Sequence, residues 1–286
     1  MKKLITGGAL CILGALVLAS AALAASHNPK GEYAEFTECP LSRATITDCV
    51  YSLSDSGSFT IGSKTVRFKS PVTLQGGYEG SGSQVRFFGA ENGETLPRTP
   101  QPVSGGLDGV TAPTWWPQFL QKSFEAEITS GDTAVTATLE LAGPSEGPTG
   151  IKLNTEKLTF QEGTALGLPV KFHLESPMLG SNCYIGSDKD PVQINFTTGS
   201  SGELKGSAGE FKFNEPLDTV ITIADAKLVN NVFTAPAAEG CGGIYSFLVD
   251  PLVNSVLGLP AAPGKSSAIL EGTLKDARSG AVAASE

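Results

Sequence analysis

Apolar and polar positions alternate in short runs over most of the chain after residue 50, and the runs end at glycine or proline. Residues 58–61 are followed by Gly62-Ser63 and then by 64–69, a pattern that predicts a hairpin with one buried face. Residues 134–141 alternate and are rich in β-branched side chains, which favours another strand. Similar runs predict strands at 71–75, 84–88, 124–128, 151–160, 168–174, 191–198, 210–213, 219–229 and 267–274.

The apolar spacing becomes helical in one segment near the C-terminus, residues 246–257. Its apolar residues recur three or four positions apart, Gly258 marks its end, and Pro251 is expected in its first turn. The tail from Lys275 is small and polar and is expected to fray. Many short strands and one helix predict an all-β fold, which is an antiparallel sandwich or a partly closed barrel with one short helix near the C-terminus.

Residues 91–118 interrupt the strand pattern with several prolines and glycines. Such a stretch cannot lie in the middle of a sheet, so we interpret it as a long loop and as a candidate boundary between two lobes. We predict one domain over residues 26–286, because the part before the loop has few large apolar residues. The loop leads into Trp115, Trp116 and Phe119, which either contact a ligand or plug the open end of the sandwich.

The first 25 residues have the organisation of a cleaved secretory signal peptide. Lys2 and Lys3 form the positive end, residues 4–18 carry no charge, and Ala22-Leu23-Ala24 supplies small residues for cleavage after Ala24 or Ala25. The apolar run is short for a membrane span and no second one follows, so we predict no membrane span after cleavage. The expected location is extracellular, or associated with the cell envelope.

The charge balance of the exported chain is acidic. Two of the 20 basic residues lie in the signal peptide, which leaves 18 against 29 acidic residues and a formal net charge of −11. Such a surface repels nucleic acid and anionic lipid, and no basic run opposes that. We therefore expect no nucleic-acid partner, whereas a glycan, lipid or protein of the cell envelope remains open.

The cysteines predict two disulfides, since an even number in an exported chain indicates a bonded framework. Cys11 lies in the signal peptide, which leaves Cys39, Cys49, Cys183 and Cys241. Three pairings are possible, and we predict the most local one, Cys39–Cys49 with Cys183–Cys241. A zinc site is disfavoured because the spacings are not those of paired C-x-x-C units.

Residues 178–187 place a cysteine and an aromatic residue between two glycines and interrupt the series of strands. Gly180 and Gly186 allow the backbone to turn, so we interpret the stretch as a structural corner. Cys183 would tie this corner to the Cys241 loop, and Tyr184 is expected to pack beside the bridge.

A search for chemistry finds no catalytic residue and no cofactor site. His27 is expected in a frayed N-terminal segment, and His173 on a solvated strand face. No G-x-S-x-G elbow is present, and no pair of acids stands out for glycoside hydrolysis. Asp188 and Asp190 have a D-x-D spacing that makes them a weak calcium candidate, although a plain turn also explains them.

Several short motifs are spread over most of the exported chain, namely residues 38–41, 62–66, 74–77, 141–144, 178–187, Cys241-Gly242, 250–254 and 259–265. Together they resemble a group of secreted proteins of high-GC Gram-positive bacteria (actinobacteria) that has no established activity. The resemblance implies export and a shared fold, and it assigns no catalytic residue.

Three functions fit these observations. The leading hypothesis is an exported, non-enzymatic β-sandwich protein that serves as a binding or structural module of the cell envelope or extracellular space. One alternative is a secreted hydrolase with a carboxylate pair, which would require an acidic cleft with two facing acids. The other is a carrier of lipid or another hydrophobic ligand, with Trp115, Trp116 and Phe119 at the mouth of an apolar cavity.

Overall fold

The computed structural model describes residues 27–82, 84–131, 133–143, 149–215 and 218–286. The predicted signal peptide and its cleavage site lie outside these ranges. The helices are α1 (Gln118–Ser130), α2 (Thr155–Phe160), α3 (Ser246–Leu257) and α4 (Ser279–Ala284), with short 3-10 turns at Gly31–Tyr33 and Gly243–Tyr245. The strands are β1 (Asp48–Ile61), β2 (Lys64–Arg67), β3 (Val72–Glu79), β4 (Arg86–Gly89), β5 (Gln101–Pro102), β6 (Thr136–Leu141), β7 (Lys152–Leu153), β8 (Leu166–Ser176), β9 (Gly180–Ile185), β10 (Val192–Phe196), β11 (Ser200–Ser201), β12 (Leu204–Lys205), β13 (Glu210–Phe213), β14 (Val220–Asn230), β15 (Ala238–Glu239) and β16 (Ser267–Arg278).

Two open antiparallel sheets form a sandwich, which confirms the predicted fold class and selects the sandwich over the barrel. The first sheet has the order β13-β14-β16-β1-β3-β4, with β2 paired to β1. The second has the order β15-β9-β8-β6-β5, with β7 and β10 paired to β8. The sheets meet at the Phe59 and Phe172 rings, whose centroids lie 5.4 Å apart edge to face.

The long loop after β4 carries the chain from the first sheet to the second. Its only strand is β5, which pairs with β6 at the edge of the second sheet, where Pro102 needs no ladder partner on its outer side. One hydrophobic core draws side chains from both sheets, among them Leu74 before the loop and Leu139 after it.

Two segments predicted as strands are helical. Residues 124–128 lie in α1, because Leu120 and Phe124 recur four residues apart on its buried side and Gly131 ends the helix in a left-handed conformation. Residues 151–160 form only the short strand β7 before α2 begins. Asn154 caps that helix through a hydrogen bond to the Lys157 amide, which stops the strand.

The helix near the C-terminus has the predicted bounds, Ser246–Leu257, and Gly258 ends it at a φ of 70°. The expectation that Pro251 lies in the first turn is wrong, because it is the sixth residue of α3. Proline leaves the carbonyl four residues earlier without a helical partner, and here that is the carbonyl of Phe247. The helix tolerates the change because Phe247 lies at its exposed beginning, where water can hydrate the carbonyl.

The two ends of the described chain are ordered against each other, so the expected fraying is wrong. β16 extends to Arg278 and α4 follows it, with Val282 fully buried. His27 contacts Glu286 at 2.6 Å and Glu91 at 2.9 Å through its two ring nitrogens. Although burial opposes protonation, the hydrogen bonds and charges of these two carboxylates raise the pKa of His27. The small polar tail is held by contacts that neither segment can form alone.

Both disulfides have the predicted pairing. Cys39 and Cys49 are ten residues apart and belong to a small second core where the chain ends meet. Cys183 and Cys241 are 58 residues apart and lie in the main core. Tyr184 does not pack beside this bridge, because successive residues of β9 point to opposite faces of the sheet. Its ring instead stacks on His173, with 4.3 Å between centroids.

Candidate functional site

The loop before α1 separates its two tryptophans into different environments. Trp116 is 3% exposed and packs edge to face on Phe124, with ring centroids 5.8 Å apart. Trp115 is 60% exposed and Phe119 is 54% exposed. The loop therefore plugs the sandwich with Trp116, while Trp115 and Phe119 face solvent. Of the two interpretations of this stretch, the plug therefore applies to Trp116, and a contact with a ligand remains open only to Trp115 and Phe119.

A second segment brings more apolar side chains to the same place. The 3-10 turn Gly243–Tyr245 and the start of α3 expose Ile244 at 84% and Phe247 at 70%. The rings of Phe119 and Tyr245 lie 5.7 Å apart, which joins α1 to this turn. We call the combined surface the aromatic tip, and it consists of Trp115, Phe119, Ile244, Tyr245 and Phe247.

The Cys183–Cys241 bridge fixes the base of the aromatic tip. It joins β9 to the loop that leads into the turn, three residues before Ile244. The Cys241 amide donates to the Asp250 carboxylate at 2.7 Å, and the Gly242 amide donates to the Leu179 carbonyl at 2.8 Å. The exposed side chains thus project from backbone that is bonded to both the sheet and α3.

Gly242 is required for this close packing. Its φ is 77°, and a Cβ at this position would lie 2.5 Å from a methyl carbon of Val249. Any larger residue would push the loop away from α3 or strain the backbone. The glycine after Cys241 thereby sets how the tip sits on the helix.

Sequence reasoning found Trp115 and Phe119 but missed Ile244 and Phe247. A usable signal was present, because the buried residues of α3 include Leu248, Val249 and Val253. Phe247 falls outside that buried set at the beginning of the helix, and an apolar residue off the core face of an amphipathic helix has no packing explanation.

The calcium candidate lies in a turn on the second sheet. Asp188 accepts hydrogen bonds from Lys171 Nζ at 2.9 Å and from the Gly143 amide at 3.2 Å, and these bonds lower its pKa. The Ser187 side chain accepts from the Asp190 amide at 3.0 Å. In the part of the chain that the structure describes, no group of three or more His, Cys, Asp and Glu side chains is arranged to hold a metal ion.

His173 points to the predicted side of β8, but only 13% of its side chain is exposed there. Tyr184 on β9 stacks on its ring, and its Nδ1 atom lies 3.4 Å from the Glu140 carboxylate on β6. Glu140 is almost fully buried among Arg98, Lys171 and His173. Because cross-strand neighbours cover the histidine, alternation along β8 alone could not predict its environment.

The carrier alternative has little structural support. Two apolar cavities lie between the sheets and under α1 and α3, with volumes of about 50 and 60 Å³. A site that encloses a drug-sized ligand measures roughly 300 Å³ or more. Trp115, Trp116 and Phe119 line neither cavity. The expected aromatic mouth of a carrier site is therefore missing from both.

The hydrolase alternative has acids in two cavities. Glu94, Glu140 and Asp188 line one of about 310 Å³, where Arg98 contacts Glu140 at 3.4 Å and Lys171 contacts Asp188 at 2.9 Å. Asp48 and Asp276 line the other, of about 290 Å³, at the beginning of β1. Arg278 holds the Asp48 carboxylate at 3.2 Å, however, so this carboxylate is not free to act as a nucleophile or base.

No helix within the described ranges is long and apolar enough to cross a membrane. No protein-family model, no curated protein and no solved structure matches the chain. The resemblance to secreted proteins of actinobacteria therefore stays a prediction.

Proposed function

We propose that the protein is an exported, non-enzymatic β-sandwich module that attaches to the lipid surface of the cell envelope through its aromatic tip. The observation that carries the proposal is the cluster of exposed, rigidly mounted apolar side chains on two segments of the chain. Single exposed apolar residues are common and need no explanation, but a cluster of them marks an interaction surface.

The mounting of the tip supports a binding role. Trp116 anchors the first segment in the core, and the Cys183–Cys241 bridge anchors the second. A surface that is already ordered before binding loses little conformational entropy when it meets its partner. Export is supported by the two disulfides and by the resemblance, which both fit an oxidising compartment.

The composition of the tip favours lipid over glycan. Sugar sites combine an aromatic face with polar groups that bind hydroxyls, whereas Ile244 and Phe247 add only apolar surface. Trp and Tyr are the side chains that settle at membrane interfaces. The acidic chain offers no electrostatic attraction to anionic lipid, so attachment would depend on apolar burial into a neutral lipid surface.

Vesicle flotation with phosphatidylcholine tests the proposal. Wild-type protein should float with the vesicles, and its tryptophan emission should shift to the blue, because both tryptophans of the chain lie in this loop and Trp115 is exposed. The double variant F119S/F247S should lose flotation while it keeps its unfolding midpoint. A matched control is F160S, since Phe160 is 68% exposed at the end of α2, outside the tip.

Failure of the wild type to float at millimolar lipid would overturn the lipid assignment, and so would equal loss of flotation in F160S. Retention on insoluble cell-wall glycan that F119S/F247S abolishes, without vesicle binding, would reassign the tip to a glycan.

A further inference from the structure

A second concave site lies at the beginning of β1. It is separate from the cavity under α1 and α3, which is lined by Lys64 just after the end of the same strand. The site has a volume of about 290 Å³. One side is apolar and comes from α2, β13, β14 and β16, with Leu158, Phe211, Ile223 and Leu274 among the lining residues. The other side is polar and contains Asp48, Tyr78, Asp276 and Arg278.

Two hydrogen bonds hold the acidic side chains on the polar side of the cavity. The Tyr78 hydroxyl donates to Oδ2 of Asp276 at 2.7 Å, and Arg278 donates to Oδ1 of Asp48 at 3.2 Å. No other hydrogen bond to the Asp276 carboxyl occurs within the described ranges, so its second oxygen is left to the cavity. That oxygen is not fully buried, so it meets solvent in the cavity, where a cationic ligand can reach it.

The charge of the cavity is negative. Its negative lining groups are Asp48, Asp218 and Asp276, and its positive lining group is Arg278. The lining residues from α2 and β13 carry no charge. The formal charge is therefore −2 when Asp276 is ionised. Burial, together with the nearby Asp48 charge, raises the pKa of Asp276 to about 7, against the lowering effects of Tyr78 and Arg278. Burial and the Asp276 charge also raise the pKa of Tyr78.

We propose that this cavity binds an organic ammonium ligand, whose charged nitrogen pairs with Asp276 and whose alkyl part lies against the apolar wall. Neither a metal nor glycoside hydrolysis fits as well. Metal ligation would need a larger set of donors than the structure brings together in its described part. Hydrolysis would need Asp48 as a free carboxylate, and Arg278 holds it.

Binding of the ammonium group is coupled to loss of a proton. The cation pairs only with ionised Asp276, so a ligand must displace the proton that the buried carboxyl holds at mildly acidic pH. The fraction of protein that can bind is roughly one tenth at pH 6 and nearly complete at pH 8.5. Phe211 adds an aromatic ring to the wall, which suits a cationic head group.

Isothermal titration with n-butylammonium at pH 6 and pH 8.5 tests the assignment, with n-butanol as the neutral probe of similar shape. Butylammonium should bind about tenfold more tightly at pH 8.5 than at pH 6, and butanol should bind more weakly at both. D276N should remove most of the difference between the two probes. The control D190N removes an exposed carboxyl that does not line the cavity and should bind like the wild type.

D276N replaces the carboxyl by a neutral group of the same shape, so it should fold. If it does not, D218N serves instead, because asparagine tolerates the positive φ of 47° at this position and removes one negative charge from the rim. D218N should weaken butylammonium binding severalfold.

Absence of butylammonium binding at pH 8.5 in folded wild-type protein would overturn the assignment, as would unchanged binding in folded D276N. Cleavage of an aryl glycoside that D276N abolishes would also overturn it, in favour of Asp276 as a general acid. None of these outcomes depends on vesicle binding by the aromatic tip.

Discussion

The two disulfide-bonded regions of the molecule use the same covalent link for different purposes. Cys39–Cys49 joins residues ten apart, in a small core that also contains Tyr33, Phe88 and Val282. Cys183–Cys241 joins residues 58 apart and holds the base of the aromatic tip against the second sheet. The first bridge reinforces packing between the chain ends, and the second presents an exposed surface.

The difference follows from what surrounds each bond. Around the first bridge the buried side chains already face one another, so the disulfide adds to an existing core. Around the second, the chain must leave the sheet, turn at glycines and enter α3 while it carries apolar residues into water. The exposed side chains Ile244 and Phe247 add no burial that would order the turn, and the long-range bond to the main core supplies the restraint.

The largest expected effect is on stability when the long-range bridge is removed. Cys183→Ser combined with Cys241→Ser should lower the free energy of unfolding by about 4 kcal/mol, because the bond closes a long loop in the unfolded chain. Urea unfolding of the oxidised protein measures this change. Vesicle flotation should weaken in the same variant even where it remains folded, and unchanged flotation would separate the tip from the bridge.

Removal of the short-range bridge should cost less. Cys39→Ser combined with Cys49→Ser should lower the free energy of unfolding by about 3 kcal/mol, since the loop that the bond closes is shorter. The same urea titration compares the two variants directly. Flotation should be unaffected here, because the bridge at the base of the tip, Cys183–Cys241, lies in the other core. If this variant lost more free energy of unfolding than the variant without Cys183–Cys241, loop length would not decide which bridge stabilises the protein more.

The next effect is a pH dependence of the free energy of unfolding. It arises at Asp276, near the first bridge, because Asp276 lies close to Asp48 and Asp48 precedes Cys49. The folded pKa of Asp276 is about 7, above its ordinary value of 3.8, so the folded state binds the extra proton between these values. This stability is fully present below about pH 4 and is lost as pH rises through about 7, by at most about 1.4 kcal/mol per unit.

Asp276→Asn should remove that dependence and make the protein relatively more stable at pH 8. Unfolding midpoints at pH 5 and pH 8 measure it, with Asp190→Asn as the control that keeps the dependence. A wild-type midpoint that responds to pH no more than that of Asp276→Asn would contradict the burial argument.

The smallest effect on stability is expected at the tip itself. Ile244→Ser should change the free energy of unfolding by no more than about 0.5 kcal/mol, because the side chain is 84% exposed. Its vesicle affinity should nevertheless fall by about tenfold, since a buried isoleucine contributes roughly 1.5 kcal/mol or more. Val232→Ser is the matched control, because Val232 is 57% exposed outside the tip. An equal loss of vesicle affinity in both variants would show that the tip binds lipid no better than the remaining surface does.

Local patterns in the sequence were sufficient for much of this picture. Strict alternation in 134–141 predicted β6, and helical spacing closed by Gly258 predicted α3 with its bounds. The two disulfide pairs followed from locality once an oxidising compartment was assumed. These features depend on periodicity and chain distance, which a sequence displays directly.

Other features depend on partners distant in the chain. Residues 124–128 alternate as a strand would, yet Phe124 is buried as part of a helix on the Trp116 loop. The tail after Lys275 looks free, yet α4 packs into the small core and Glu286 contacts His27. Neither contact has a signal within a short window of sequence.

The sequence by itself determined the all-β class, the positions of most long strands, the C-terminal helix and the two covalent bonds. The tertiary structure alone decided which apolar residues stay exposed and which acids share a cavity. Trp115 and Trp116 are adjacent and chemically identical, but only one has the core behind it. Asp48 and Asp276 are far apart in the chain and meet because β1 and β16 pair antiparallel. Burial and proximity are properties of the assembled sheets, and for that reason both sites became visible only in the fold.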